Sequence, residues 1–227
     1  MMKIKTRFNI ETLKGLQRKE THKVVLLHSG GIDSTAAGIL LKEEGYSLYP
    51  LFFDYKQSPV EVERFCVGLL AKELGFNEAK EIKVDFLKEL SKSLFLGGKP
   101  FTDDEAYVPG RNTVFMVMAG IHAYEINADG VAIGYMMDDN FVFGDNMFAH
   151  HMLMEVVLSE TFLRPMKVFM PTKSYTKGHL MGILNRYGVL DKTVSCWNPT
   201  LKNGKVVECG KCANCVEKYQ YIHKDKE

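Results

Sequence analysis

Seven consecutive residues carry the first chemical signal: Ser29-Gly30-Gly31-Ile32-Asp33-Ser34-Thr35. They follow the apolar run Val24-Val25-Leu26-Leu27 and lead into Ala36-Ala37-Gly38-Ile39-Leu40-Leu41. A strand, a glycine turn and a helix N-terminus in that order bring oriented backbone N–H groups and the positive end of a helix dipole to one point, which suits a phosphate. The Ser34 and Thr35 hydroxyls can donate to phosphate oxygens, and Asp33 can hold a Mg²⁺ ion bridging a leaving pyrophosphate. The run is not a Walker A loop, which needs Gly-x-x-x-x-Gly-Lys-Ser/Thr. A capped turn is the plainer reading of these residue types. The strand before them and the helix after them favour the anion site.

Two further stretches point to the same mouth. Phe53-Asp54-Tyr55-Lys56-Gln57 ends the second strand-like run, where Asp54 and Gln57 can meet a nucleotide or its ion. In Tyr107-Val108-Pro109-Gly110-Arg111-Asn112-Thr113, Pro109-Gly110 turns the chain and Arg111 and Asn112 open a helix. A guanidinium there suits bidentate recognition of phosphate or carboxylate.

Cys196, Cys209, Cys212 and Cys215 read C-x12-C-x2-C-x2-C, with Gly210 in the turn. Four thiolates at these spacings match a tetrahedral zinc site with no open position, a device for folding rather than chemistry. Iron–sulfur ligation competes with it, and disulfides suit an apparently cytosolic chain poorly. Cys66, alone in a helix-like run, reads as a structural thiol.

These groups need elements to position them. Strand-like runs at 24–28, 48–54, 79–84 and 131–134 alternate with helical periodicity at 34–44, 60–74, 112–126 and 149–163. Such alternation predicts βαβ units: an α/β fold with a parallel sheet covered by helices on both faces. Ligands then sit at the carboxyl ends of the strands, where the glycine run falls. Gly97-Gly98-Lys99-Pro100 and Thr102-Asp103-Asp104-Glu105 form a polar break, expected as a mobile loop over the site. The expected organisation is an N-terminal extension at 1–22 with a short amphipathic helix around 10–17, a nucleotide-binding domain at 23–190 and a zinc-binding C-terminal region at 191–227. The 227 residues carry a formal net charge of +1, which gives no global reason to expect nucleic acid or membrane. No apolar run is long enough to span a bilayer, and the N-terminus lacks the apolar stretch of a signal peptide. A cytoplasmic protein is expected.

Together the motifs at 29–35, 53–57 and 107–113 and the four-cysteine tail from Ser195-Cys196-Trp197 resemble the 7-cyano-7-deazaguanine (preQ0) synthase family, within the PP-loop ATP pyrophosphatases. The resemblance runs from about residue 23 to the C-terminus. It implies an adenine nucleotide α-hydrolase-like sheet, ATP with Mg²⁺, a structural Zn²⁺ and a homodimer. It also implies conversion of an acid to a nitrile. The carboxylate of 7-carboxy-7-deazaguanine attacks the α-phosphate of ATP, ammonia takes the acyl-adenylate to an amide, and a second activation dehydrates that amide. Such catalysis is positioning and charge stabilisation, with no nucleophilic side chain. The implied catalytic residues are Ser29, Asp33, Ser34 and Arg111. The nucleotide-binding set adds His28, Gly30, Gly31, Ile32, Thr35, Asp54, Gln57 and Asn112.

One segment departs from the family, which carries a Gly-Tyr-Pro-Asp-Cys-Arg-like stretch after the fourth strand. Here the chain reads Gly134-Tyr135-Met136-Met137 and continues to Gly144-Asp145-Asn146-Met147. Asp139, Asp145 and the aromatic Phe143 keep their places, while Asn146-Met147 replaces the Cys-Arg pair. With Tyr107, these residues form the expected base pocket, and Asp145 suits a guanine-like edge. The lost arginine shifts recognition of the substrate carboxylate to Lys173 or Arg164. His150-His151 reads as structural, since adjacent histidines rarely face one site. Two alternatives remain: an amide- or nitrile-forming ligase on another carboxylate, and a non-catalytic zinc-ribbon nucleic-acid-binding protein. Lys202, Lys205, Lys211 and Lys218 motivate the latter, diluted by Glu208 and Glu217.

Overall fold

The computed structural model describes residues 22–137 and 143–224. The amphipathic helix expected around 10–17 and Asp139 lie outside the described residues.

A five-stranded parallel sheet organises the chain. Strands β1 (Lys23–Leu27), β2 (Ser47–Asp54), β3 (Lys80–Lys83), β4 (Gly130–Ala132) and β5 (Lys167–Phe169) stand in the order β3-β2-β1-β4-β5. Helices α1 (Ile32–Glu43), α2 (Val60–Glu73), α3 (Phe86–Leu90), α4 (Asp103–Ala106), α5 (Arg111–Glu125), α6 (Phe148–Phe162) and α7 (Lys177–Arg186) connect them. A hairpin, β6 (Thr200–Lys202) with β7 (Lys205–Val207), and a last helix, α8 (Ala213–Lys224), complete the tail.

Central β1 explains the layering. Val24, Val25 and Leu26 are all fully buried, as a strand covered on both faces requires. Alternation sends Val25 to the face covered by Phe115, Met116 and Ala119 of α5 and Leu158 of α6. Val24 and Leu26 face Ala37 and Leu41 of α1 on the other side. Helices α2 and α7 join α1 there through Leu70, Leu180 and Leu184. The expected doubly covered α/β sheet is therefore the observed one.

The eight elements read from periodicity lie within about two residues of their observed bounds. Strand β5, helices α7 and α8, and the tail hairpin carry no such signal. The chain winds β1 to β3 outward on one side, then returns to place β4 on the other side of β1. The crevice at the carboxyl ends of β1 and β4 is the switch point where ligands of such sheets bind.

The tail is not detached. Cys196, Trp197, Cys212 and Cys215 belong to the same apolar cluster as Val25, Phe53 and Phe115. The polar break at 97–105 is pinned rather than free. Ser58 Oγ donates to Gly98 O (2.8 Å), and Thr102 and Glu105 form a capping box at α4. Asn198 Nδ2 donates to Pro100 O (2.7 Å) and Ala213 N to Phe101 O (3.0 Å).

Candidate active site

Helix α1 starts at Ile32, two residues earlier than expected, so Asp33 and Ser34 stand in its first turn. Its N-cap, Gly31, makes no side-chain cap. The N–H groups of the first turn lack intrahelical partners and face the crevice with the positive end of the dipole. Hydroxyls tie the loop to itself: Ser29 Oγ lies 3.3 Å from Ser34 Oγ, and Thr35 Oγ1 donates to Gly31 O at 2.7 Å. Val194 N donates to Gly30 O (3.0 Å) from the tail side.

Two glycines make this packing possible. Gly30 has φ +75°, and a Cβ there would stand 2.7 Å from Cys66 Cβ. Gly134, just after β4, would place a Cβ 2.6 Å from Ser34 N. Cys66 is fully buried beneath the loop, and burial pushes its thiol up to about 12. It is the structural thiol expected of it.

A cavity of about 380 Å³ opens over the loop, lined by His28, Ser29, Gly31, Ile32, Asp33 and Ser34. Gln57, Arg111, Asn112 and Phe143 from the expected set line it as well. His28 is 2 % exposed, with Nε2 3.3 Å from Thr35 Oγ1. Burial holds its imidazole at about 4, so the ring is neutral near pH 7. Arg111 Nη1 donates to Tyr55 Oη (3.3 Å). Burial works against the guanidinium charge, but Tyr55, Asp145 and Glu63 outweigh it.

Several expected residues serve other partners. Asp54 lies outside the cavity: it accepts from Arg64 Nη2 (2.9 Å) and from Lys56 N (3.1 Å), fixing the turn after β2. Thr35 is fully buried and its hydroxyl is spent within the loop. Asp145 accepts from Asn112 N (3.0 Å) at the N-terminus of α5, while its neighbour Asn146 lines the cavity. Lys173 is exposed, with its ammonium 5.9 Å from the centre of the Phe148 ring. Arg164 donates to Ala123 O and Ala128 O (3.0 Å each), bracing the end of α5. Tyr107 stacks on Phe143 at 4.0 Å and 6°. His150 pairs with Thr113 (2.8 Å) and His151 sits edge-on to Tyr135, so the two rings face different partners.

The structure adds residues that sequence reasoning missed. Lys177 Nζ donates to both Asp33 carboxylate oxygens (2.8 and 2.9 Å) from the first turn of α7. Thr176 caps that helix with His179 at the third position, a pattern a search for Ser/Thr-x-x-Glu/Gln passes over. Glu63 of α2 lines the cavity and accepts from Gln57 Nε2 (2.7 Å). The tail supplies Ser195, Cys196, Trp197, Asn214, Glu217 and Lys218 to the same wall.

The four tail sulfurs lie within 4.8 Å of one another. A tetrahedral ion with ~2.3 Å bonds separates its sulfur ligands by ~3.8 Å, so the set is a metal-binding cluster. Backbone donors converge on it: Asn198 N (3.2 Å) and Cys209 N (3.1 Å) reach Cys196 Sγ, and Lys211 N reaches Cys209 Sγ (3.4 Å). The basic patch around it is thin, since Lys218 pairs with Glu208 (3.0 Å).

The model of the family described as queuosine biosynthesis protein QueC matches residues 23–224. The chain belongs to this family. It is 27 % identical over 213 residues to a 7-cyano-7-deazaguanine synthase of Campylobacter jejuni, covering 86 % of this chain and 90 % of that protein. It is 28 % identical over 204 residues to the enzyme of the same name from a Sulfurovum species, covering 85 % and 90 %. Among solved structures, the U34-tRNA thiolase NcsA of Methanococcus maripaludis, which carries a [4Fe-4S] cluster, superposes with a TM-score of 0.53. It is 17 % identical, over 91 % of this chain and 68 % of that one, and this likeness shows the fold. Among the described residues, no helix is long and apolar enough to cross a membrane.

Proposed function

We propose that this QueC-family chain is an ATP-dependent 7-cyano-7-deazaguanine synthase working in the cytoplasm. The observation that carries the reading is one cavity lined by an uncapped helix N-terminus, by Arg111 and Lys177, and by the Phe143 ring. The N–H donors and cations suit a triphosphate and the ring a flat base.

Substrate carboxylate and α-phosphate are brought into line, so that the carboxylate displaces pyrophosphate. Ammonia then takes the acyl-adenylate to the amide, and a second ATP activates the amide oxygen for dehydration to the nitrile. The N–H groups of Gly31 to Ser34, with the Ser29 and Ser34 hydroxyls, hold the leaving pyrophosphate. Arg111 stands where negative charge develops at phosphorus. The N–H groups of Ile32, Asp33 and Ser34 are in place before substrate arrives, which is where such catalysis gains most, while Gly31 N and the Ser34 hydroxyl exchange their partners within the loop for the phosphate. Asp33 would hold Mg²⁺, which supplies charge neutralisation on the phosphates. Lys177 then turns from Asp33 toward the pyrophosphate oxygens.

The cysteine cluster suits Zn²⁺, held by Cys196, Cys209, Cys212 and Cys215, where it supplies folding energy to a metal-dependent C-terminal region. Exposed apolar side chains on α5 and α6, among them Ile121 (51 %), Leu153 (65 %) and Val156 (58 %), support a homodimer through that face.

Incubation with ATP, Mg²⁺, ammonium and 7-carboxy-7-deazaguanine, followed by mass spectrometry, tests the reading. The nitrile with AMP and pyrophosphate is the expected result. Accumulation of the amide would recast the chain as an amide ligase, a reading favoured by Asn146 lining the cavity where the family carries Cys-Arg. Absence of AMP would point to another carboxylate.

A further inference from the structure

The amide-forming step needs a proton acceptor, because ammonium is the abundant form near neutral pH and has no free lone pair. We propose that Glu63 takes a proton from the incoming ammonium, on the reading of the site given above. Three observations place it there.

First, Glu63 lines the same cavity as the glycine loop and Arg111. Its own backbone carbonyl lies against the loop, 3.3 Å from the position of a Cβ on Gly30. Second, the side chain is fixed. Gln57 Nε2 donates to Glu63 Oε2 (2.7 Å) and to Phe53 O (2.9 Å), while Gln57 Oε1 accepts from Tyr55 N (2.9 Å). Gln57 is thereby locked in one amide orientation and holds one carboxylate oxygen, leaving Oε1 for a ligand. Third, one charged group, the Arg111 guanidinium, acts on its carboxylate. Arg111 from α5 favours the carboxylate, Tyr55 just after β2 stays protonated, and Cys66 on the same helix is a buried neutral thiol. Burial, opposed by Gln57 and Arg111, brings the Glu63 carboxyl up to about 7. A base with that affinity serves well at neutral pH.

The step balances without another reactant. One N–H bond of ammonium breaks and its proton passes to Glu63 Oε1. The freed lone pair attacks the acyl carbon and the C–N bond forms. The C–O bond to AMP breaks, AMP leaving with the electron pair, and the remaining surplus proton on nitrogen goes to water.

The Glu63→Gln variant keeps the shape and the contact to Gln57, whose amide still donates to a carbonyl. Carboxylate-dependent pyrophosphate release and amide formation are followed separately in wild type and variant, with ammonium and with hydroxylamine as nucleophiles. Hydroxylamine is uncharged at neutral pH and brings a free lone pair. The expected loss is about 10²-fold or more in amide formation from ammonium, with a much smaller loss in pyrophosphate release. Hydroxylamine should recover most of that deficit. The wild-type rise of amide formation with pH, centred near 7, should move upward in the variant. Parallel loss of both half-reactions, failure of hydroxylamine to recover the rate, or an unmoved pH profile would overturn the role of Glu63. Absence of carboxylate-dependent pyrophosphate release in the wild type would instead overturn the synthase reading, and this role with it.

Discussion

The glycine loop at 28–35 and the cysteine tail from Cys196 both aim backbone N–H groups at negative charge, but they differ in whose charge it is. In the tail the donors of Asn198, Cys209 and Lys211 point at the protein's own sulfurs. In the loop the N–H groups of the first turn of α1 have no side-chain cap, and on the function proposed above they serve a ligand that comes and goes. A site that must be empty between turnovers has to be held open by its surroundings. Cys66, Gly134 and Val194 N do that for the loop. The described tail packs its cysteines into the main apolar cluster but builds little regular structure, a short hairpin and one helix, so it is expected to lean on its metal. The two regions should therefore fail in different ways.

The largest effect is expected from the tail. Cys212→Ser leaves three thiolates on a site built for four. Structural zinc contributes ~10–16 kcal/mol of apparent binding energy in small domains, so the loss should exceed ~4 kcal/mol, beyond the range of ordinary substitutions. Metal content per chain and thermal unfolding would read it. Because Cys196, Trp197 and Lys218 line the cavity, ATP turnover should fall with the metal. Chelation should reproduce both losses. A metal-free chain with unchanged unfolding temperature would break the comparison, since the tail would then hold itself.

In the loop, Gly30→Ala attacks the scaffold rather than a ligand. A methyl group at φ +75° would meet Cys66 Cβ at 2.7 Å. Left-handed backbone strain and overpacking together cost ~3 kcal/mol. Denaturant unfolding should show that loss while metal content stays whole. Loss of metal in this variant would mean that the two regions are one cooperative unit.

Acid separates them more finely. The His28 imidazole is held at about 4 by burial, below its ordinary 6.5. The unfolded chain then binds the proton more tightly than the folded one, so stability is full above pH 6.5 and declines as pH falls toward 4. At pH 5 the loss attributable to His28 is ~2 kcal/mol. His28→Leu should flatten the decline between pH 6.5 and 5, while metal release, which also follows protonation of thiolates, should keep its wild-type pH dependence. An unchanged acid slope in the variant would place the acid sensitivity in the tail or in His151, whose imidazole burial also holds at about 4.

What could be read from the sequence divides along the same line. The seven residues from Ser29 to Thr35 and the C-x2-C-x2-C run are local, so a short stretch of sequence with its flanking elements is enough to suggest an anion loop and a metal site. Arg111 and Asn112 were legible because a Pro-Gly turn sets them at a helix start. Asp54 was misread: a carboxylate at the end of a strand faces a ligand or a neighbouring helix, and only the fold shows that Arg64 claims it. Glu63 stands among Glu61 and Arg64 in one polar turn, and nothing in the sequence says which of them faces the cavity. Strand β5 spans three residues, too few for a period. Helix α7 opens Lys177-Gly178-His179, with a glycine that weakens any helical reading. Other residues escape the sequence because their partners are remote in the chain.

Lys177 is the sharpest of these, 144 positions from the Asp33 carboxylate it grips. The tail gathers its four sulfurs between Cys196 and Cys215, whereas the loop borrows a cation from α7, beyond the edge strand β5. If Lys177 serves only to anchor α7 on α1, Lys177→Met should cost ~1 kcal/mol of stability and leave kinetics alone. If it turns to the pyrophosphate when ATP is bound, the KM for ATP should rise at least ~10-fold, equivalent to ~1.4 kcal/mol, whatever happens to stability. Arg in its place keeps the charge but not the compact ammonium, and should recover part of the ATP affinity while packing less well. Steady-state kinetics beside thermal unfolding separates the outcomes. The kinetic result is expected, because an anchoring ion pair with the lysine 13 % and the aspartate 33 % exposed gains little in water, whereas the same two charges beside a triphosphate and its ion exchange partners at every turnover.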